Sequence, residues 1–147
     1  MRTAKSGQRA NMRIISALAR LTIILLVALA SRPVWAFDLD GTWATNVSVC
    51  DKIFGKDDKG AFYIKPDADS YGSGFIVRQN SIVGKIAKCT IKTRKTVGSV
   101  THVIANCSTD VALQTVQFSF RVKDDNHIIR IYPGVEELDI AYGRCPR

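Results

Sequence analysis

The strict alternation of apolar and polar side chains in the second half of the chain constrains the fold most. Between residues 115 and 123, Val116, Phe118, Phe120 and Val122 occupy every second position, and polar side chains occupy the positions between them. Successive side chains of a β-strand point to opposite faces, so this period of two predicts a strand with one buried and one solvated face. Helical periodicity is almost absent after residue 36, and the prediction is therefore an all-β fold.

Turn signals divide the chain after residue 36 into about eight strands. Lys65-Pro66-Asp67, Asp124-Asp125-Asn126 and Pro133-Gly134 combine residues that favour tight turns. The predicted strands span 41–49, 60–65, 73–79, 82–94, 99–107, 112–123, 127–132 and 138–144. Residues 51–59 are predicted as a loop with room for one helical turn. Short antiparallel strands of this kind form a small barrel or a sandwich, and a barrel is favoured because closure removes exposed strand edges.

The first 36 residues are typical of an export signal. They contain six basic residues and no acidic one, and five of the basic residues precede an apolar run over residues 21–30. Val34-Trp35-Ala36 supplies the modest and small side chains that a signal peptidase reads, which predicts a signal peptide 1–36 that is cleaved after Ala36. The apolar run is about half the ~20 residues that a membrane-spanning helix needs. Arg20 blocks its extension, so a retained membrane anchor is the less favoured alternative.

Removal of this segment changes the expected properties of the chain. Residues 37–147 form a single predicted domain of 111 residues with 15 basic and 13 acidic side chains, a net charge of +2 instead of the +8 of the whole sequence. Most of the support for nucleic-acid binding disappears with the leader. The expected location is the periplasm or the outside of the cell, with no membrane span after cleavage. Translation starting at Met12 would still give a complete signal, so Met1 and Met12 are both candidate starts.

All four cysteines lie in the predicted domain, and an even number in an exported chain predicts two disulfides. If the turn between strands 82–94 and 99–107 lies at Val97-Gly98, Cys89 faces Cys107 directly. In the same register Ile91 faces Ala105 and Thr93 faces Val103. Directly opposed antiparallel residues come close to the separation that a disulfide requires, which favours the pair Cys89–Cys107.

Exclusion then leaves the pair Cys50–Cys145. In a simple up-and-down barrel of eight strands, the end of the first strand and the end of the last strand lie at opposite ends of the barrel. The pair therefore requires either a different strand count or a last segment that crosses the base.

The start of the first strand carries a motif of its own. Gly41-Thr42-Trp43 resembles the Gly-x-Trp of lipocalin and avidin-like (calycin) barrels. In those families the Trp closes one end of the barrel and a basic residue of the last strand packs across it. The resemblance implies a calycin-like barrel in which Arg144 covers Trp43. A tryptophan in an ordinary core is the alternative interpretation.

A wider set of motifs is similar to small exported, disulfide-containing β proteins of Gram-negative bacteria that have no assigned function. The motifs are Gly41-Thr42-Trp43-Ala44, Cys50, Cys89-Thr90-Ile91, Ala105-Asn106-Cys107 and Tyr142-Gly143-Arg144-Cys145. This resemblance implies a fold and no particular activity.

The sequence offers little to an enzyme or to a metal. His102 and His127 are the two histidines, each in an alternating segment, and His102 is predicted to face solvent. No His or Cys spacing supplies the three or four ligands of a zinc site, and no Gly-x-Ser-x-Gly motif marks a nucleophile. We therefore predict no catalytic residue, no metal and no cofactor.

Basic side chains cluster near the middle of the domain. Lys88, Lys92 and Arg94 are predicted to share the outward face of one strand. The full candidate patch for an anionic partner is Lys85, Lys88, Lys92, Arg94, Arg121 and Lys123. A solvated strand face is the alternative, and it is the more common reason for such a pattern.

These observations lead to two hypotheses about function. The first is a non-enzymatic barrel that binds a small apolar molecule in a cavity lined by residues such as Phe75, Val77, Phe118 and Phe120. The second is a protein-interaction module, for instance an inhibitor of an envelope hydrolase or protease, acting through loops at 51–59 or 66–74.

Overall fold

A computed structural model describes residues 37–146. It contains ten strands, one short helix and three 3₁₀ turns. The strands are β1 (Gly41–Ala44), β2 (Phe54–Lys56), β3 (Phe62–Ile64), β4 (Gly74–Arg78), β5 (Ser81–Val83), β6 (Lys88–Val97), β7 (Val100–Ser108), β8 (Leu113–Asp124), β9 (His127–Ile131) and β10 (Ile140–Arg144). The helix is α1 (Cys50–Ile53), and the 3₁₀ turns are Val47–Val49, Ala68–Ser70 and Glu136–Leu138.

Eight of these strands close into an antiparallel barrel, as predicted. The order around the barrel is β1-β10-β9-β8-β7-β6-β5-β4, and β4 pairs again with β1. Each barrel strand is therefore paired on both sides. The strands β2 and β3 form a separate two-stranded sheet.

Several predicted strand boundaries are wrong, although the number of barrel strands is eight. The segment 60–65 does not enter the barrel, because its central residues form β3 and pair with β2, which lies in the predicted loop 51–59. The segment 82–94 is two strands, separated by a turn in which the Gly84 N–H donates to the carbonyl of Ala87 at 2.9 Å. The first strand ends at Ala44, because Asn46 caps a 3₁₀ turn by accepting from the Ser48 N–H.

The barrel interior is packed from one end with apolar side chains that alternate inward along the strands. Trp43, Val103 and Phe120 are at most 1% exposed, and Leu39 covers them from the segment before β1. Each of these side chains contributes about 1.5–3 kcal/mol through removal from water. The full set of buried interior residues is Leu39, Trp43, Phe75, Val77, Ile82, Cys89, Val103, Ala105, Cys107, Phe120, Ile128 and Tyr142.

A second apolar cluster lies on the outer surface of β1 and β4. Ala44 and Ile76 point away from the interior and are covered by Ile53, Phe54 and other residues of the segment 45–73. The segment 45–73 approaches β4 closely at Gly74. A Cβ atom on Gly74 would lie 2.7 Å from the Phe54 ring and 2.8 Å from the Trp43 carbonyl oxygen. The long connection between β1 and β4 is thus a packed cover on one side of the barrel.

This cover explains how the two ends of the domain are joined. The chain turns back after β1 and passes along the outside of the barrel, so that Cys50 reaches Cys145 directly after β10, with 5.8 Å between their Cα atoms. The segment that returns along the outside of the barrel is therefore the connection after β1. The segment after β10 does not cross the base of the barrel, which was one of the two expected alternatives. The second disulfide joins Cys89 to Cys107, which are opposed in β6 and β7 and buried in the interior cluster.

A β-bulge in β6 alters the predicted register and one predicted surface. Cys89 pairs with Cys107 and Ile91 with Ala105, but Thr93 pairs with Ile104 rather than Val103, because Lys92 is an extra residue in β6. Beyond the bulge the alternation of faces is reversed. Arg94 is therefore opposite the interior residue Val103, and the prediction that it shares an outward face with Lys88 and Lys92 is wrong.

The connections alternate between two ends of the barrel because neighbouring strands are antiparallel. The turns at 79–80, 98–99 and 125–126 lie at one end, which we call the closed end. The connections 84–87, 109–112 and 132–139, together with the cover 45–73, leave from the other end, which we call the open end. This distinction positions the site described next.

Candidate functional site

Trp43 and Arg144 close one end of the barrel. The Arg144 guanidinium carbon lies 4.3 Å from the centre of the fully buried Trp43 ring, and the Trp43 Nε1–H donates to the carbonyl of Leu39 at 2.9 Å. Arg144 also donates to the carbonyls of Asp38, at 2.6 Å, and of Asp40. This arrangement is the one that the Gly-x-Trp resemblance implies. It fixes the segment before β1 across the closed end, where the Trp43 ring fills the barrel interior.

The open end contains a cavity of about 280 Å³ inside the barrel. Aromatic side chains form much of its wall: Phe75 and Phe120 stack with ring centres 5.7 Å apart, and Phe118 stacks on Phe120 at 6.2 Å. The floor consists of packed core, because Val77 lies below the cavity and is 1% exposed. Three of the four residues predicted to line a cavity therefore do so, and Val77 does not.

A single cation lines this cavity. Arg130 lies on the inward face of β9, opposite Phe120 and two residues after the buried Ile128. Its guanidinium carbon is 4.9 Å from the Phe118 ring centre and 4.8 Å from that of Tyr132. The Arg130 side chain makes no hydrogen bond and has no carboxylate partner within 4.0 Å among residues 37–146, although its backbone is paired with β8 and β10. An arginine held by aromatic rings, with its N–H groups unused by the protein, is equipped to bind a ligand.

Tyr142 adds a second polar group to the cavity wall. Its residue is 6% exposed, its ring meets Phe75 edge-on at 4.9 Å, and it neighbours Ile128 across the β9–β10 pair. Within the described part of the chain its hydroxyl makes no hydrogen bond. The residue lines the cavity, so its hydroxyl is available to a molecule that enters there.

The sequence analysis missed both polar residues. For Arg130 a signal was present, because Ile128 and Arg130 are two residues apart in β9 and share its inward face. An arginine at an inward position of a strand is unusual and deserves a functional explanation. Tyr142 was noticed only as part of a cysteine motif.

Three highly exposed apolar side chains lie at the open end of the barrel, and one of them, Ile86, lines the cavity. Val111 is 94% exposed, Leu113 is 86% exposed and Ile86 is 82% exposed, all on or beside open-end turns. Single exposed apolar residues are ordinary on protein surfaces, but several at one end mark a candidate contact surface. We call these three residues the apolar rim.

The six candidate basic residues differ in their local partners. Three are engaged by acidic groups: Lys85 with Asp69, Arg94 with Asp40 at 3.6 Å, and Arg121 with Asp139 at 3.8 Å. The other three, without an acidic partner within 4.0 Å among residues 37–146, are exposed on β6 or β8: Lys88, Lys92 and Lys123. Local ion pairs therefore engage half of the set, and its role as a patch for an anionic partner stays a prediction.

The two histidines lie on the outside of the barrel. His102 lies on the outer face, as predicted, where it is partly buried and its Nδ1 is 2.9 Å from the Ser119 hydroxyl. The His127 ring lies 2.9 Å from the Asp124 carboxylate. The Asn126 backbone N–H, and then the His127 ring, hold the pKa of Asp124 below its ordinary value.

Between residues 37 and 146 there is no cluster of three His, Cys, Asp or Glu side chains that could hold a metal ion. In the same range no helix has the length and apolar character needed to cross a membrane. The two disulfides are consistent with an oxidising, exported compartment.

Comparison with known proteins adds no further assignment. No family model, no curated protein and no solved structure matches the chain. Its function is therefore to be inferred from the cavity, its polar groups and the surface around its opening.

Proposed function

We propose that this protein is an exported, non-enzymatic barrel that binds a small, mainly apolar molecule in the open-end cavity. The observation that supports this most strongly is the unequal filling of the interior. Trp43 and Arg144 close one end, whereas at the other end aromatic side chains line about 280 Å³ of unfilled space. Ligand pockets are typically concave and mostly apolar, with a few polar groups that fix orientation.

The volume limits the size of the ligand. Benzene occupies an engineered cavity of about 150 Å³, so a cavity of about 280 Å³ accommodates roughly eleven non-hydrogen atoms. A molecule of about ten such atoms that gains about 0.5 kcal/mol from each binds with a Kd of about 0.2 mM. A natural ligand with better-matched polar groups will bind more tightly.

A cavity-filling substitution tests the proposal. Val116 lines the cavity from β8, and Val116→Trp places an indole in this space. Octanamide is a suitable neutral probe of ten non-hydrogen atoms, and calorimetry should show binding to the wild type that is at least about tenfold weaker in Val116→Trp.

Val97→Trp is the matched control, because Val97 is 55% exposed beside a closed-end turn and lies far from the opening. It should bind octanamide like the wild type. Equal binding to the wild type and to Val116→Trp would contradict the proposal, as would the absence of any binding to the wild type.

The apolar rim favours a second candidate function, a protein-interaction module such as an inhibitor of an envelope hydrolase or protease. Three highly exposed apolar side chains on short, disulfide-braced connections form a compact surface for a partner. The double variant Val111→Ser/Leu113→Ser should then abolish inhibition of a muramidase or a trypsin-like protease by the purified protein. Lack of inhibition by the wild type would argue against this candidate.

A further inference from the structure

We propose that the cavity selects a monocarboxylate, that is, an apolar molecule that ends in a single carboxylate group bound by Arg130 and Tyr142. The inference rests on the proposed binding function and specifies the chemical class of the ligand. It starts from two polar side chains of the cavity wall that have no hydrogen-bond partner among residues 37–146.

Arg130 is oriented for this task by its neighbours. The Phe118 and Tyr132 rings lie 4.9 and 4.8 Å from its guanidinium carbon, which restrains the side chain by cation–π contact. Cation–π contact uses the face of the guanidinium and leaves the N–H groups at its edge. Those groups form a planar fork that matches a carboxylate in two parallel hydrogen bonds. Arg130 therefore contributes a preorganised, unused anion-binding group.

The three acidic residues of the neighbouring connection, Glu136, Glu137 and Asp139, have no carboxylate oxygen within 4.0 Å of the Arg130 nitrogens. The Asp139 carboxylate accepts from the Tyr132 N–H at 2.9 Å and lies 3.8 Å from an Arg121 nitrogen on the outer face. No acidic side chain lines the cavity among residues 37–146. The cavity therefore carries one uncompensated positive charge, which suits a monoanion better than a phosphate dianion.

Tyr142 supplies the second contact. It lies on the inward face of β10. Arg130 of β9 pairs with Ile140, which precedes Tyr142 by two residues and is nearer the opening. Its backbone therefore lies two residues deeper in the barrel than that of Arg130, and its hydroxyl, which has no hydrogen-bond partner among residues 37–146, can donate to a carboxylate oxygen. Gln114, on the rim of the same cavity, offers an amide at the entrance.

The matched probes are octanoate and octanamide, which have the same number of non-hydrogen atoms and differ in charge. Calorimetry on the purified protein at neutral pH should show octanoate binding at least about tenfold more tightly than octanamide, because charge-assisted hydrogen bonds are stronger than neutral ones. The variant Arg130→Gln should lose this preference and retain octanamide binding, which shows that the cavity is intact. The variant Tyr142→Phe, which keeps the ring, should reduce the preference and provides a second test if Arg130→Gln does not fold.

The outcomes separate this inference from the function on which it rests. Equal binding of the two probes to the wild type, or a preference that survives in Arg130→Gln, overturns the carboxylate assignment and leaves the apolar cavity as a binding site. Failure of both probes to bind the wild type overturns the binding function and the carboxylate assignment together.

Discussion

The disulfide Cys50–Cys145 should stabilise the domain more than the disulfide Cys89–Cys107. The two bridges differ in the length of chain that they close, 95 residues against 18. On the chain-entropy treatment, closing these loops in the unfolded chain contributes about 4.7 and about 3.2 kcal/mol. The expected difference is therefore about 1.5 kcal/mol in the free energy of unfolding.

Burial of the cysteines does not reverse this order. Cys89 and Cys107 are each 3% exposed and Cys145 is 4% exposed, while Cys50 is half-buried. Replacing each pair by alanine thus leaves similar small voids. The loss of about 4.7 kcal/mol would be a large share of the 5–15 kcal/mol that stabilises a typical domain.

The assay is urea unfolding of Cys50→Ala/Cys145→Ala and Cys89→Ala/Cys107→Ala, with the wild type as reference. Trp43 is the one tryptophan after residue 36 and is fully buried, so its fluorescence reports unfolding of the barrel. Equal losses of stability in the two double variants, or a larger loss without Cys89–Cys107, would refute the loop-length reasoning.

Other predictions concern the closed end, the cover and one carboxylate. Arg144→Met should lower the free energy of unfolding by about 2–4 kcal/mol in the urea assay, because hydrogen bonds and a cation–π contact are lost. Arg121→Met is the control: it removes only a partly exposed ion pair and should cost less than about 0.5 kcal/mol. Gly74→Ala should lower the free energy of unfolding by more than about 1 kcal/mol, because the new Cβ atom would lie too close to the Trp43 carbonyl oxygen. Gly84→Ala makes only ordinary contacts and should be close to neutral. A similar loss in both variants would contradict the account of the cover. An NMR titration should place the pKa of Asp124 below its ordinary value. The hydrogen bonds of this carboxylate then stabilise the protein at neutral pH, and this contribution is lost as the pH falls through the lowered pKa. An ordinary or raised pKa would contradict this prediction.

The all-β class and the barrel were predictable because alternation is a direct consequence of strand geometry. The long strands β7 and β8 follow clear patterns, and their bounds differ from the prediction by about one residue. The turn between β5 and β6 was harder to predict. The segment Gly84-Lys85-Ile86-Ala87 contains one turn-forming residue and otherwise continues the strand pattern.

The pairing of Cys89 with Cys107 was predicted from a register that contains two compensating errors. The hairpin turn between β6 and β7 is Gly98-Ser99, because Val97 pairs with Val100, which shifts the register by one residue from the expected one. The bulge at Lys92 shifts it back before Cys89. Local sequence does not reveal such a bulge, because it is determined by packing across the whole barrel.

The candidate site was only partly predictable for a related reason. The aromatic wall at Phe118 and Phe120 follows from alternation, but the existence of a cavity depends on how far the side chains of eight strands fill the interior. Trp43 fills the closed end, and only the assembled barrel shows that nothing equivalent fills the open end. The availability of the Arg130 guanidinium likewise depends on the side chains that the fold places around it. Its neighbours in sequence do not reveal this.

The most direct test of the central claim is an NMR titration of the isotopically labelled protein with octanamide, followed residue by residue. The account predicts that the largest shift changes occur in the cavity wall, at Ala87, Val116, Phe118 and Tyr142, with little change at the closed-end residue Trp43. Shift changes confined to the outer cover or to the closed end, or no changes at millimolar probe, would contradict the claim that the open end of this barrel is a binding site.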